Sequence, residues 1–177
     1  MATGESLRGE GERLYRQGRY AEAAARYAEA QAAFVTEGNA TGAAESANNR
    51  GVCWRQAGSW PEAHAAFEEA RAAFSSLGDV AREAQVIGNM GSLADSEDKL
   101  DQAESYYGEA IRLFESVGEK DLAQATYTVL SRLKMKQGNW LGAINAYENG
   151  LAHLDRPSLM QRVLKKFLAV PRRLAGR

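Results

Sequence analysis

What this chain lacks narrows its chemistry first. Cys53 is the only cysteine, which excludes an internal disulfide and any metal site built on several thiolates. It stands beside Trp54 in a helical pattern, the setting of a core residue and not of a nucleophile. The two histidines, His64 and His153, lie far apart with no second histidine or cysteine beside either, so both read as surface residues. No glycine-rich phosphate loop, nucleophile elbow or His-Glu-x-x-His run occurs. The sequence therefore predicts no enzyme, no metal and no cofactor. Asp95-Ser96-Glu97-Asp98 is acidic but lacks the alternating ligands and glycine of a calcium loop, and reads as a solvated helix end. No apolar run reaches the roughly 18 residues of a membrane span. The segment Met1 to Arg8 lacks the apolar stretch of a signal peptide. A reducing, cytoplasmic setting is the resulting expectation. Prolines occur only at 61, 157 and 171, so no pyrrolidine ring stops a helix between 61 and 157.

What is present is alanine and charge. Hydrophobic residues make up 45% of the chain, and alanine runs such as Ala23-Ala24-Ala25 carry much of that share. Alanine is the best helix former and lets helices approach closely. Residues 1–155 hold all 23 acidic residues against 15 Lys and Arg, a net of −8, while residues 156–177 hold seven basic residues and no acid. The acidic body would repel phosphate, so nucleic acid is not the expected partner.

The chain repeats itself every 40 residues. One column reads Gly11, Gly51, Gly91, Ser131 and another Gly18, Gly58, Asp98, Gly138. Then come Tyr20, Trp60, Leu100, Trp140; Ala23, Ala63, Ala103, Ala143; Tyr27, Phe67, Tyr107, Tyr147; and Ala30, Ala70, Ala110, Gly150. Phe34, Phe74, Phe114, Leu154 and Gly38, Gly78, Gly118, Ser158 close the set. Positions 20, 23, 27, 30 and 34 step by three or four, so they share one helix face. Large and small side chains alternate along it, which lets an aromatic sit against an alanine of the next helix. The glycines at 18, 58 and 138, and at 38, 78 and 118, fall where helices end. Those at 11, 51 and 91 lie inside helices at a cost of about 1 kcal/mol each, which predicts backbones crossing closely. Helices are expected near 5–17, 20–36, 41–57, 60–76, 80–96, 100–116, 121–137 and 140–154, with Ser59 and Asp79 as N-caps.

These residues resemble the tetratricopeptide repeat (TPR). The second copy is nearest, as Gly51-x-x-Trp54-x-x-x-Gly58-x-Trp60-x-x-Ala63-x-x-x-Phe67-x-x-Ala70. The usual period is about 34 residues. The longer one here, with Gly-Asn or Gly-Asp after the second helix and Asn-x-Gly within the first, looks like the Leu-Gly-Asn subtype. The resemblance implies an all-α, right-handed α-solenoid of four helix pairs over 1–154, with repeats near 5–38, 41–78, 80–118 and 121–154. Ala94 and Lys134 replace the first aromatic, and Asp98 replaces a glycine, so repeats three and four are expected to pack less tightly.

The resemblance also implies a function: a protein–protein interaction adaptor or scaffold that holds a partner peptide or helix in a concave groove lined by the first helix of each pair. Recurring slots there hold Arg8, Asn48, Gly88 and Thr128; Asn49 and Asn89; Glu12, Val52, Ser92 and Arg132; and Tyr15, Arg55, Asp95 and Met135. Asparagine is a poor helix-interior residue, and its amide can grip an extended backbone. Bonding to a neighbouring helix, or simple solvation, is the plainer reading of the same residues. A clamp for chaperone C-termini fits poorly, because Glu12, Gln85 and Asn89 stand where asparagine, lysine and arginine are wanted. Residues 155–177 form the second region. Ser158-Leu159-Met160-Gln161 reads as a capping box. Met160, Val163, Leu164, Phe167 and Leu168 form an apolar stripe, expected to close the array as a capping helix. The alternative function is an assembly module whose Arg162, Lys165, Lys166, Arg172 and Arg173 dock onto a second copy, a larger complex or an acidic membrane.

Overall fold

A computed structural model describes residues 2–152. Among these the backbone is helical throughout, with eight helices and no strand: α1 (Gly4–Arg16), α2 (Tyr20–Thr36), α3 (Ala40–Ala57), α4 (Trp60–Leu77), α5 (Val80–Ser96), α6 (Leu100–Ser116), α7 (Lys120–Lys136) and α8 (Trp140–Ala152). The connections are two or three residues long, which suits antiparallel packing of consecutive helices within a unit. The described residues fall into two compact units, one ending at Tyr106 and the other beginning at Tyr107. In the first, α1 packs on α2, α2 on α3, α3 on α4 and α4 on α5. In the second, α7 packs on α8. The fold is an all-α solenoid, as the 40-residue period predicts. The expected capping helix lies outside the described residues.

The repeating columns become the core. Ala23, Ala63, Ala103 and Ala143 are buried, as are Ala30, Ala70 and Ala110. Tyr27, Phe67 and Tyr107 are buried, while Tyr147 is half-buried. Phe34, Phe74 and Phe114 close the ends of their stripes. In the first unit Phe67, Phe74, Val86, Met90 and Leu93 form one cluster, and Leu14, Tyr27 and Cys53 another. Burial of such side chains stabilises by roughly 1.5–3 kcal/mol each. Trp140 departs from its column. Tyr20, Trp60 and Leu100 are half-buried, whereas Trp140 is 66% exposed and its neighbour Leu141 76%.

Helix ends follow the turn chemistry. Gly58 and Gly78 cap α3 and α4 in the left-handed region, at φ 77° and 68°. Asp98 takes the same conformation at φ 60° without being glycine. The Asp79 carboxylate accepts from the Arg82 backbone N–H at 3.0 Å, as an N-cap should. Ser59 occupies the N-cap of α4 but makes no side-chain capping bond. There Pro61 in the first turn lacks an N–H.

Two expectations need correction. Gly11 and Gly51 meet aromatic side chains and not a crossing backbone. A Cβ on Gly51 would lie 2.6 Å from the Phe67 ring, and one on Gly11 would lie 3.1 Å from Tyr27. The space a glycine leaves is filled by the aromatic of the second helix. The third repeat is also well filled in its first helix, because α5 buries Val86, Ile87, Met90 and Leu93 where an aromatic is missing. Helix α7 buries only Ala123, Ser131 and Leu133, and the Ser131 hydroxyl donates to the Ala143 carbonyl at 2.8 Å.

Candidate functional site

In the first unit the three first helices, α1, α3 and α5, touch one another side by side, α3 against each of the other two. Their polar residues meet as an ordered row. Arg8 on α1 donates from Nη1 to Glu45 Oε2 at 3.0 Å and from Nη2 to Glu5 at 2.6 Å. Arg82 on α5 donates from Nε to the other Glu45 oxygen at 3.1 Å and pairs with Asp79. Glu45 on α3 therefore joins both flanking helices, each through an arginine 37 residues away. Arg8 also lies over the Phe34 ring, 5.8 Å from its centre. These partly exposed pairs are worth about 0–1 kcal/mol each. Their larger effect is to order the row.

One helical turn further along, Asn89 Nδ2 donates to Asn48 Oδ1 at 2.9 Å, and this realises the plainer reading of these asparagines for that pair. Asn49 and Gln85 stand beside it. Together with Glu45, Asn48, Arg82 and the apolar Phe74 and Val86, they line a cavity of about 200 Å³. Toward the helix C-termini the Gln56 amide reaches the Tyr15 hydroxyl at 3.4 Å.

The predicted residues of the first unit fall on these three helices. Arg8, Tyr15, Asn48, Asn49, Val52, Arg55, Asn89, Ser92 and Asp95 are half-buried, and Glu12 is exposed. Only Asn48 and Asn49 line the cavity. Ser92 turns its hydroxyl onto the Gly88 carbonyl of its own helix. Thr128 and Arg132 belong to the second unit, where Thr128 donates to the Gln124 carbonyl and Arg132 is exposed. Arg162, Lys165, Lys166, Arg172 and Arg173 lie outside the described residues. Sequence reasoning passed over Glu45 and Arg82. The available signal was alternation of charge at 8, 45 and 82, one helical turn short of the repeat period.

The candidate chemical groups take structural places. Cys53 is fully buried, and burial pushes its thiol up to about 12. Burial likewise raises Tyr27 above the ordinary phenol range. His64 and Glu97 meet at 2.9 Å, with Lys99 on the other Glu97 oxygen at 2.9 Å. Burial works against ionising Glu97, but the bonds from Lys99 and His64 outweigh it and hold the carboxyl below its usual range. Glu97 is thus tied between helices and not part of a merely solvated end. A second cavity, of about 290 Å³ between α1 and α2, is lined by Glu10, Arg13, Leu14, Arg19, Glu22, Ala25, Arg26 and Glu29. Arg19 and Arg26 there are paired with Glu22, Glu10 and Glu29. Among the described residues no group of three His, Cys, Asp or Glu could hold a metal ion, and no helix is long and apolar enough to cross a membrane.

Comparison with solved structures finds the same architecture. BtubC (BKLC) from P. vanneervenii superposes with a TM-score of 0.72 at 20% identity, over 89% of this chain and 70% of its own. A Rap protein complexed with Competence and Sporulation Factor superposes with a TM-score of 0.76 at 17% identity, over 85% of this chain and 42% of its own. At these identities the likeness shows the fold, a TPR-like helical repeat. No curated protein matches the sequence. The sequence profile of SNAP, the soluble NSF attachment protein, matches residues 9–170. With nearly the whole chain matched, this protein belongs to the soluble NSF attachment protein family.

Proposed function

We propose that this chain is a protein–protein interaction adaptor that holds a peptide or helix of a partner against α1, α3 and α5, and that it is not an enzyme. The observation that carries this reading is the cavity of about 200 Å³ lined by Asn48, Asn49 and Gln85 over Phe74 and Val86. Carboxamides offer donors and acceptors together, and the Asn48–Asn89 bond uses only part of that capacity. An apolar floor beneath polar walls suits a polypeptide, which presents both kinds of group. The 40-residue, Leu-Gly-Asn-like character of the repeat is part of the same reading. The family's name as an attachment protein and the factor bound by the Rap protein accord with it.

The test is affinity capture from source lysate with the full chain and with an Asn49→Ala/Asn89→Ala variant of unchanged helicity. A partner recovered by the wild type should fall at least about tenfold with the variant. That corresponds to loss of one or two hydrogen bonds, near 1.4 kcal/mol. Equal recovery of every partner would refute the site. Recovery abolished by deleting 156–177 but indifferent to Asn49 and Asn89 would favour docking through the basic C-terminal residues instead.

A further inference from the structure

Arg55 stands in the last turn of α3, and its Nε is the one buried side-chain nitrogen or oxygen among the described residues with no hydrogen-bond partner. Leaving such a donor unpaired costs roughly 1–3 kcal/mol, more when the group is charged. The other arginines of this region are engaged. Arg8 and Arg82 share Glu45, and Arg50 donates to Gln31 and Glu69. Two carbonyls at the end of α3 are already bonded. Arg55 O accepts from Gly58 N at 3.1 Å and Trp54 O from Ser59 N at 2.9 Å. Asp95, in the corresponding slot of α5, does not receive this N–H.

We propose that Arg55 is an anion anchor, which takes the side-chain carboxylate of an acidic residue on the bound polypeptide. The inference rests on the adaptor reading and adds the charge of its partner. Nε–H and one Nη–H of a guanidinium form a parallel fork that matches the two oxygens of a carboxylate. In the free chain half of that fork is idle. The residue as a whole is only half-buried, so rotation about its outer torsions brings the fork to the surface as the anion arrives. A singly charged carboxylate fits better than a phosphate dianion. Glu12, Glu45 and Asp95 share these helices, and their repulsion grows with the charge of the ligand.

The experiment uses the full ¹⁵N-labelled chain and the arginine Nε–Hε resonances, with that of Arg55 assigned through Arg55→Lys. The probes are the peptide acetyl-Ala-Glu-Ala-amide, its Gln counterpart and inorganic phosphate, at constant ionic strength. The Glu peptide should move the Arg55 Hε signal saturably, and the Gln peptide should not. Arg55→Lys keeps the charge at the helix end but loses the fork. Losing the unpaired N–H, it should not lower the melting temperature, and it should weaken the Glu peptide at least fivefold, read from backbone amides of α3. An unmoved Hε signal, an equal response to the Gln peptide, tighter binding of phosphate than of the Glu peptide, or unchanged affinity in Arg55→Lys would each overturn the assignment. The adaptor reading fails separately. Capture that survives Asn49→Ala/Asn89→Ala sinks the carboxamide site whatever Hε does. A partner lost from that variant but held fully by Arg55→Lys sinks only the anchor.

Discussion

Two helical glycines should respond to one substitution with opposite sign. Gly51 in α3 and Gly88 in α5 are both interior positions, and Gly→Ala in a helix interior gains about 0.5–1 kcal/mol by restricting the unfolded chain. A methyl on Gly88 meets nothing within 4 Å, so Gly88→Ala should stabilise by that full amount. A methyl on Gly51 would lie 2.6, 2.6 and 3.0 Å from three atoms of the Phe67 ring, against ordinary contact near 3.5–4.0 Å. The ring would have to retreat by about 1 Å. Phe67 has no exposed side to retreat into, at 0% exposure among Ala47, Ala63, Ala70 and Met90. Overpacking of this kind costs about 1–3 kcal/mol. The conformational gain is common to both variants and cancels in their difference, so Gly88→Ala should exceed Gly51→Ala by that 1–3 kcal/mol. Urea unfolding followed by helical circular dichroism measures both. A second arm tests the cause: Phe67→Leu should be less damaging in the Gly51→Ala background than in the wild type, by about 1 kcal/mol. Equal stability of the two alanine variants, or additivity of Gly51→Ala and Phe67→Leu within about 0.3 kcal/mol, would refute the packing argument.

Three further outcomes are expected. Gly58→Ala forces a Cβ into φ 77° and should lose about 1–2 kcal/mol in the same urea titration. The Asp79 carboxyl is held below its usual range, chiefly by the Arg82 backbone N–H, although burial opposes the shift. A depressed folded-state value means its stabilisation is complete above the unfolded aspartate range, near pH 4, and is lost as pH falls through the folded value. Melting temperatures of wild type and Asp79→Ala should therefore differ at pH 7 and converge in acid. A difference unchanged by acid would show that the carboxylate charge is not what caps α5. Cys53, buried with its thiol pushed up to about 12, should react with a disulfide reagent at pH 8 only as fast as the chain opens. Its rate should rise in step with urea unfolding, and rapid native-state labelling would contradict its place in the core.

The solenoid was legible in the sequence because its causes are local and repeated. The steps of three and four from Tyr20 to Phe34 assign a helix face, and the glycines at 18, 38, 58 and 78 mark helix ends through left-handed backbone. Neither needs knowledge of a distant partner, and four copies in phase place the helix ends among the described residues within one residue, the expected end at 154 lying outside them. Tertiary structure alone decided what the polar side chains do. Arg8 meets Glu45 at a separation of 37, and Asn89 meets Asn48 at a separation of 41. These contacts depend on the stagger between neighbouring helices, which a column spaced by 40 does not state. The same stagger puts a ring against Gly51 but leaves Gly88 open, and it leaves Arg55 Nε without an acceptor. Periodicity dictates which face of a helix is buried. Close packing of particular rotamers, with each buried donor finding or missing its acceptor, decides which groups remain to bind.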